Sequence, residues 1–336
     1  MSTTTIAFFN SKAGVGKTSL VYHLAWMYSD LGYRVVAADL DPQANLSMFF
    51  LNEERLQEIW LEEQPRKTIF GSMLPLIQGL GDISDPHLEF VADQLALLVG
   101  DIGLFQIESQ LAKSWSSCLH PNHPQQEFSL KLISAFSRIM QKAAKASQAN
   151  IILMDLAPNL GVINRAAMIA ADYVIIPLYL DLPSALALSN LGTTLQDWRK
   201  QWQEILFEKN QTILELPSGN MQPIGYVVLQ PSVRLDQLVL GNNREIASIP
   251  KKYRDYVLNE PNIGNISLEN DPNCLARLKI YPSLISMAEE AHKPMFHLKP
   301  ADGAMGSYTQ AVRNVYKDFE KLASALALIF QNDHAA

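Results

Sequence analysis

Short runs of β-branched and aromatic residues alternate along the chain with longer stretches in which apolar residues recur every three or four positions. The short runs predict buried strands, and the longer stretches predict amphipathic helices. The predicted strands are Thr4–Phe9, Tyr33–Ala38, Leu95–Val99, Ile151–Met154, Tyr173–Ile176 and Ile224–Leu229. The predicted helices are Lys17–Leu31, Leu130–Ala146, Asn164–Ala170, Ser184–Phe207 and Tyr308–Phe330. Strands that are apolar almost throughout are typical of parallel sheets, so the pattern predicts an α/β fold: a mostly parallel twisted sheet with helices on both faces.

Two stretches interrupt this alternation. Asn52–Glu89 and Ser114–Gln126 are polar and contain several prolines, and we interpret them as insertions or lids. No internal repeat and no linker rich in Gly, Ser or Pro divides the chain, so we expect residues 1–336 to form a single domain. The last predicted helix, Tyr308–Phe330, carries apolar residues at helical spacing, and we expect it to dock on the sheet.

Composition narrows the class of protein. Of the 336 residues, 48% are hydrophobic and 18% are charged, which excludes disorder for most of the chain. The net charge of −7 argues against a protein that coats nucleic acid. Two cysteines provide no disulfide framework, and we find neither an export leader nor the roughly 20 apolar residues that a membrane span requires. We therefore expect a cytoplasmic protein.

The segment Asn10–Ser19 has the composition of a loop that binds phosphate groups. It lies between a predicted strand and a predicted helix, where Gly14 and Gly16 let the backbone amides point at phosphate oxygens. Lys17 can reach the β- and γ-phosphates, and the Thr18 hydroxyl can ligate Mg²⁺. The candidate nucleotide-binding residues are Lys12, Ala13, Gly14, Val15, Gly16, Lys17, Thr18 and Ser19.

Acidic residues follow two further predicted strands. Asp39 and Asp41 come at the end of the second strand, and Asp155 ends the apolar run that begins at Ile151. Because open α/β sheets bind ligands at the carboxyl ends of their strands, we expect these carboxylates near the phosphate loop. Alternation along the strand would place Asp39 and Asp41 on one face. Asp155 can hold Mg²⁺ opposite Thr18.

Together these segments resemble the motifs of the ParA/MinD family of ATPases. The loop resembles the family's deviant Walker A motif, in which Lys12 is an early second lysine. Asp39–Asn45 resembles the Walker A′ string D-x-D-P-Q-x-N, and Asp155–Pro158 supplies the D-x-x-P of Walker B. The resemblance implies that Lys12 contacts a nucleotide across a dimer interface. It also implies that Asp41 positions the attacking water and assists Mg²⁺, while Asp39 shapes the loop.

The resemblance extends more loosely to the second half of the chain. Gln230 ends the run Gly225–Gln230 at the place where relatives carry an asparagine for adenine, so it becomes the candidate base-binding residue. Leu235–Asn273 has no counterpart and is an unplaced insertion.

The function implied by this resemblance is that of a ParA-type ATPase. Such a protein binds ATP and Mg²⁺, hydrolyses ATP slowly, and cycles between a monomer and a homodimer that sandwiches two ATP molecules. The cycle would partition or position DNA or another large cargo with a stimulating adaptor protein. The implied catalytic residues are Lys12, Lys17 and Asp41, and the implied metal ligands are Thr18, Asp41 and Asp155.

Two other functions share these motifs in part. One is a MinD-type switch that cycles on a membrane, but the final helix has no Lys or Arg after Lys321. The other is a metabolic enzyme of the dethiobiotin-synthetase type, against which Lys12 and the D-x-D-P-Q string argue.

Two clusters of polar side chains have open interpretations. The first is either a solvated helix face or a nonspecific contact with DNA; its members are Arg244, Lys251, Lys252 and Arg254, around Tyr253 and Tyr256. The second, Cys118, His120 and His123, has zinc-ligand residue types but no fourth ligand nearby, so we favour a polar loop over a metal site.

Overall fold

An eight-stranded sheet runs through the part of the chain that the computed structural model describes, namely residues 3–61, 66–120, 124–208, 214–231, 244–261, 264 and 266–335. Its strands are β1 (Thr4–Phe8), β2 (Val35–Asp39), β3 (Glu89–Ala92), β4 (Leu95–Leu98), β5 (Ile151–Asp155), β6 (Tyr173–Tyr179), β7 (Gln222–Pro231) and β8 (Cys274–Ile280). Their order is β3-β4-β2-β5-β1-β6-β7-β8, and every neighbouring pair is parallel except β3 with β4. The predicted mostly parallel α/β fold is confirmed.

Helices cover the sheet on both sides. The α-helices of the described residues are α1 (Lys17–Asp30), α2 (Asn45–Phe50), α3 (Glu53–Leu61), α4 (Ile69–Ile77), α5 (Glu108–Cys118), α6 (Gln126–Ile133), α7 (Ala135–Ser147), α8 (Val162–Met168), α9 (Leu182–Glu208), α10 (Arg244–Ala247), α11 (Ile249–Lys252), α12 (Pro282–Ala291) and α13 (Ser307–Ala335). A π-helical turn, Tyr253–Leu258, follows α11.

Two hydrophobic clusters lie on opposite faces of the sheet, because successive strand side chains point to opposite sides. On β1, Ala7 belongs to the cluster that includes residues of α4–α9, whereas Ile6 and Phe8 belong to the cluster that includes residues of α1–α3, α12 and α13. Both clusters reach the centre of the sheet, so β1 and β5 are buried throughout. The middle strands are therefore packed on both faces, and they position the residues at their ends.

Some elements differ from the sequence-based expectation. The predicted helix Leu130–Ala146 is divided into α6 and α7 at Ser134, whose hydroxyl donates to the carbonyl of Leu130 at 2.6 Å. Such a bond to the preceding turn bends a helix. Strands β3 and β8 were not predicted, since neither is an apolar run of the kind found in central parallel strands.

The segments interpreted as insertions contain regular elements. Asn52–Glu89 carries α3 and α4 and the first residue of β3, and Ser114–Gln126 begins inside α5. Residues 62–65, 121–123 and 235–243 of the three predicted insertions, and 262, 263 and 265 of the last, lie outside the described residues.

The C-terminal helix packs on the helix that follows the phosphate loop. Phe319 of α13 approaches the His23 ring of α1 with a centroid distance of 5.2 Å, and Phe330 stacks on Tyr173 of β6 at 5.0 Å. The apolar side of α13 thus belongs to the core. In the described part of the chain, no helix combines the length and apolar character that crossing a membrane would require.

Candidate active site

The register of the sheet brings the ends of β1, β2 and β5 together. Asp155, the last residue of β5, lies beside Phe8 of β1 on one side and Asp39 of β2 on the other. The loop after β1 and the turn after β2 therefore start from neighbouring points at the same edge of the sheet. This is the arrangement expected for the phosphate loop and the two acidic segments, Asp39–Asn45 and Asp155–Pro158.

The loop from Asn10 to Gly16 has the backbone that its glycines predict. Gly14 and Gly16 have φ angles of +73° and +72°, in the left-handed region that favours glycine, whereas Ala13 is not among the residues with positive φ. A side chain at Gly16 would also collide with Leu229, since a Cβ there would lie 2.7 Å from Leu229 Cδ1. Helix α1 begins directly afterwards, at Lys17.

Lys17 and Thr18 both contact Asp155. The Lys17 ammonium donates to Asp155 Oδ1 at 2.8 Å, and the Thr18 hydroxyl donates to Asp155 Oδ2 at 2.7 Å. The Lys17 side chain is 7% exposed and that of Asp155 is fully buried. The structure thus brings Lys17 and Thr18 together with Asp155, which is more than 130 residues away in the sequence; all three were predicted to bind phosphate or Mg²⁺.

Asp39 and Asp41 have separate environments. Asp39 Oδ2 accepts hydrogen bonds from the Ser47 amide at 2.8 Å and hydroxyl at 2.7 Å, which ties β2 to α2. Asp41 lies beyond the end of β2, so strand alternation does not extend to it. Its Oδ1 accepts from the Gln43 amide at 2.9 Å.

Burial dominates the electrostatics of both carboxyl groups. It raises the pKa of Asp39 to about 8, with Asp155 as a second cause because like charges disfavour ionisation. Burial also raises the pKa of Asp41, although the Gln43 amide and the Lys17 ammonium act to lower it. Asp41 therefore senses the charge of Lys17, as a residue next to the phosphate loop should.

Lys12 lies apart from the Lys17–Asp155 pair. Its ammonium forms an ion pair with Asp181, at the start of α9, and lies 5.8 Å from the centroid of the Tyr179 ring. The side chains of the other predicted loop residues have separate environments: Ala13 is exposed, Val15 is buried, and the Ser19 hydroxyl lies 3.4 Å from His23 Nδ1. Contact of these residues with a phosphate chain would be made through their backbone amides.

Gln230 is buried near the end of β7. Its neighbour Leu229 is the residue that Gly16 approaches, so the end of β7 lies beside the phosphate loop. Residues 232–243 lie outside the described chain, and the base contact of Gln230 stays a prediction.

Two asparagines that the sequence analysis missed support the site. Asn10 donates from Nδ2 to the Pro177 carbonyl at 2.7 Å and accepts at Oδ1 from the Lys12 amide at 2.9 Å, which anchors the loop to β6. Asn164 of α8 donates to the carbonyls of Ala157 and Asn159, both at 2.7 Å, and so fixes the loop after Asp155. In the sequence, each of them is marked only by being a polar residue near a motif.

The donor set fits a magnesium nucleoside triphosphate. The Thr18 hydroxyl and the Asp155 carboxylate supply hard oxygen ligands, which Mg²⁺ prefers, and Lys17 supplies the cation for phosphate oxygens. A Cβ built on Gly14 would meet no atom within 4 Å, so the loop faces open space where a phosphate chain can approach.

The predicted basic cluster is not a continuous surface. Arg254 is 3% exposed and its guanidinium lies 3.2 Å from Asp271 Oδ1, so neither open interpretation, a solvated helix face or a DNA contact, applies to it. The π-helical turn directs it inward, together with Tyr253, which is fully buried. Lys251 pairs with Asp255 on its own helical segment. The side chain of Arg244 lies outside the described part of the chain.

The described residues contain no group of three or more His, Cys, Asp or Glu side chains that could hold a metal ion. Cys118 is buried at the end of α5, and His123 lies outside the described residues.

Comparisons with known proteins match the same part of the chain. A family profile described as an AAA domain covers residues 3–207, from β1 to α9. The cell division protein PomZ of Myxococcus xanthus is 28% identical over 200 residues, which make up 59% of this chain and 53% of PomZ. The probable plasmid-partitioning protein ParA of Thermus thermophilus is 23% identical over 243 residues, 72% of this chain and 61% of that protein. The chain spans about half the length of the first curated relatives it matches.

Solved structures share the fold over more of the chain. A protein from Corynebacterium diphtheriae is 25% identical with a TM-score of 0.67, covering 86% of this chain and 97% of that one. Apo McdA from Cyanothece has a TM-score of 0.61 at 16% identity and covers 97% of this chain and 100% of its own. The similarity to McdA concerns the fold alone, and it includes the elements that follow α9.

Proposed function

Since this chain belongs to the ParA/MinD family of ATPases, we propose that it binds and slowly hydrolyses ATP. In this proposal the chain cycles between a monomer and an ATP-sandwich homodimer that partitions or positions DNA or another large cargo. The observation that carries the proposal is the contact of Lys17 and Thr18 with Asp155 at the phosphate loop. Family membership and this contact both support the proposal.

Each residue of the site has a role in this proposal. The loop amides and Lys17 bind the phosphate chain, and Thr18 and Asp155 hold Mg²⁺, with Asp41 assisting. Bound Mg²⁺ would neutralise charge on the β- and γ-phosphate oxygens. Asp41 orients the attacking water by accepting a hydrogen bond from it. The charge of Lys17 acts on its carboxylate, and the Gln43 amide fixes its Oδ1, which leaves Oδ2 for the water.

The dimer step depends on Lys12. In the proposed dimer its ammonium reaches the partner's phosphates and stabilises negative charge there, as an arginine finger does. Hydrolysis removes the γ-phosphate that both subunits hold, and the dimer separates. A stimulating adaptor protein would set the rate of this step.

Cargo contact is proposed to be weak and reversible. The net charge of −7 opposes tight binding of DNA, and in the described chain Arg254 and Lys251 are already paired with acidic residues. A dimer doubles whatever local contacts remain, which raises the binding strength without new residues. We also propose that the chain is one domain with insertions at 52–89, 114–126 and 235–273 and a docking helix at 308–330.

The test combines the mass of the protein in solution with its rate of ATP turnover. Light scattering should give a dimer with Mg²⁺ and a non-hydrolysable ATP analogue and a monomer with ADP, and phosphate release should be slow without a partner. A dimer in all nucleotide states would contradict the cycle. Turnover stimulated by a small carboxylic acid, or ATP-dependent flotation with liposomes, would instead favour a metabolic enzyme or a membrane switch.

A further inference from the structure

Three groups of one segment hold the Lys12 ammonium within its own subunit. It pairs with the Asp181 carboxylate, lies 3.4 Å from Ser184 Oγ, and lies over the Tyr179 ring. Tyr179 ends β6, and Asp181 immediately precedes α9, the next helix. Lys12, which the family resemblance implies contacts a second subunit, thus has three partners in its own subunit.

Asp181 is held in place for this contact. Its Oδ1 accepts the Ser184 amide at 2.8 Å, so the carboxylate caps the N-terminus of α9 while Oδ2 faces Lys12. Burial acts to raise the pKa of Asp181, but hydrogen bonds from Lys12 and Ser184 outweigh it and hold that pKa below its usual range. The group is therefore an anion at neutral pH, further favoured by the helix N-terminus.

We propose that Asp181 is a positioning residue that retains Lys12 on its own subunit until the nucleotide phosphates of a second copy of this chain take its place. The inference rests on the proposed function, in which Lys12 bridges the dimer. In the proposed dimer the partner's phosphates replace Asp181 as the anion that Lys12 contacts, so the Asp181 contact opens as the dimer closes. The free energy of the Lys12–Asp181 contact opposes dimerisation and therefore raises the ATP concentration that dimerisation needs.

The size of the effect follows from exposure. The side chains of Lys12 and Asp181 are 24% and 39% exposed, which makes the pair a partly solvated one. Such pairs shift an equilibrium by about 1.5- to fivefold. They also weaken with ionic strength, because salt screens exposed charges.

Asp181→Asn tests the inference, because asparagine caps helices about as well as aspartate but carries no charge. Light scattering at increasing ATP should show half-maximal dimerisation at about 1.5- to fivefold lower ATP in the variant. The difference should shrink in high salt, which a purely structural role would not produce. Asp181→Ser, another capping residue, should behave alike. Asp85→Asn is the control, since it removes the same charge from a carboxylate paired with Lys142.

Lys12→Ala separates this inference from the proposed function. In that background Asp181→Asn should have no further effect. If Asp181→Asn leaves the ATP threshold unchanged or raises it, while Lys12→Ala still abolishes the dimer, the retention role is wrong and the proposed function stands. If Lys12→Ala dimerises like the wild type, the bridging step and the inference built on it both fail.

Discussion

The Lys17 ammonium and the Asp155 carboxylate, 138 residues apart, form a buried ion pair with a 2.8 Å hydrogen bond at the carboxyl edge of the sheet. Burying either charge alone is costly, and pairing offsets that cost. An incoming triphosphate would provide Lys17 with a new anion and leave Asp155 free for Mg²⁺. The pair therefore links nucleotide binding to the stability of the site.

Lys17→Ala should abolish ATP binding, because the phosphate chain loses its cation. It should also lower the free energy of unfolding by about 3–5 kcal/mol, since Asp155 is left as a buried unpaired charge. Titration calorimetry with ATP and urea unfolding measure the two effects. The double variant Lys17→Ala with Asp155→Asn should regain much of the stability and none of the binding. Retained ATP affinity in Lys17→Ala would remove the basis for the phosphate-site assignment.

Asp41→Ala should bind ATP but release phosphate on the order of 10²-fold more slowly, since the water loses its acceptor. The dimer should then persist with ATP, which light scattering can follow over time. Asp41→Asn is the matched control: its side-chain oxygen can still accept from the Gln43 amide, so equal loss of turnover assigns the effect to the charge rather than the turn. A variant that stays monomeric with ATP would contradict the water-positioning role.

The sequence could predict those site residues whose placement is determined by the short segment around them. Gly14 and Gly16 determine the backbone of the loop through their positive φ angles, and Lys17 begins the helix next to it. Asp155 was identifiable because it ends an apolar strand. For these residues the local sequence contains the physical reason for their placement.

The supporting residues depend on the fold and could not be predicted in this way. Asn10 and Pro177 are 167 residues apart, and nothing in either segment specifies the other. The pairing of Lys12 with Asp181 has the same character. Strands β3 and β8 lie at the edges of the sheet, where partial exposure removes the continuous apolar run that marks a central parallel strand.

Asp39 should make stability fall as pH rises. Its pKa in the folded chain is about 8, against 3.8 for an ordinary aspartate, so between these values the folded state binds more protons than the unfolded state. The contribution is fully present below about pH 4 and is lost as pH rises through 8, at no more than about 1.4 kcal/mol per pH unit.

Asp39→Asn checks this dependence, because the amide resembles the protonated carboxyl group and can still accept the hydrogen bonds from Ser47. Urea unfolding from pH 5 to pH 8 should show the wild type losing stability relative to the variant as pH increases. Parallel stability curves for the two proteins would show that Asp39 titrates normally.

Arg254 should contribute to the free energy of unfolding and not to DNA binding. Asp271 also accepts from the Tyr226 hydroxyl at 2.6 Å, so Arg254 completes a buried network that attaches the segment after α11 to the sheet. Arg254→Met should lower the free energy of unfolding by about 3 kcal/mol or more, because it leaves Asp271 without its cation. Lys251→Ala, at the exposed pair with Asp255, should change it by no more than about 0.5 kcal/mol. DNA retention measured over a salt series should have the same slope for Arg254→Met and the wild type. A shallower slope with unchanged stability would instead indicate that Arg254 is exposed and contacts DNA.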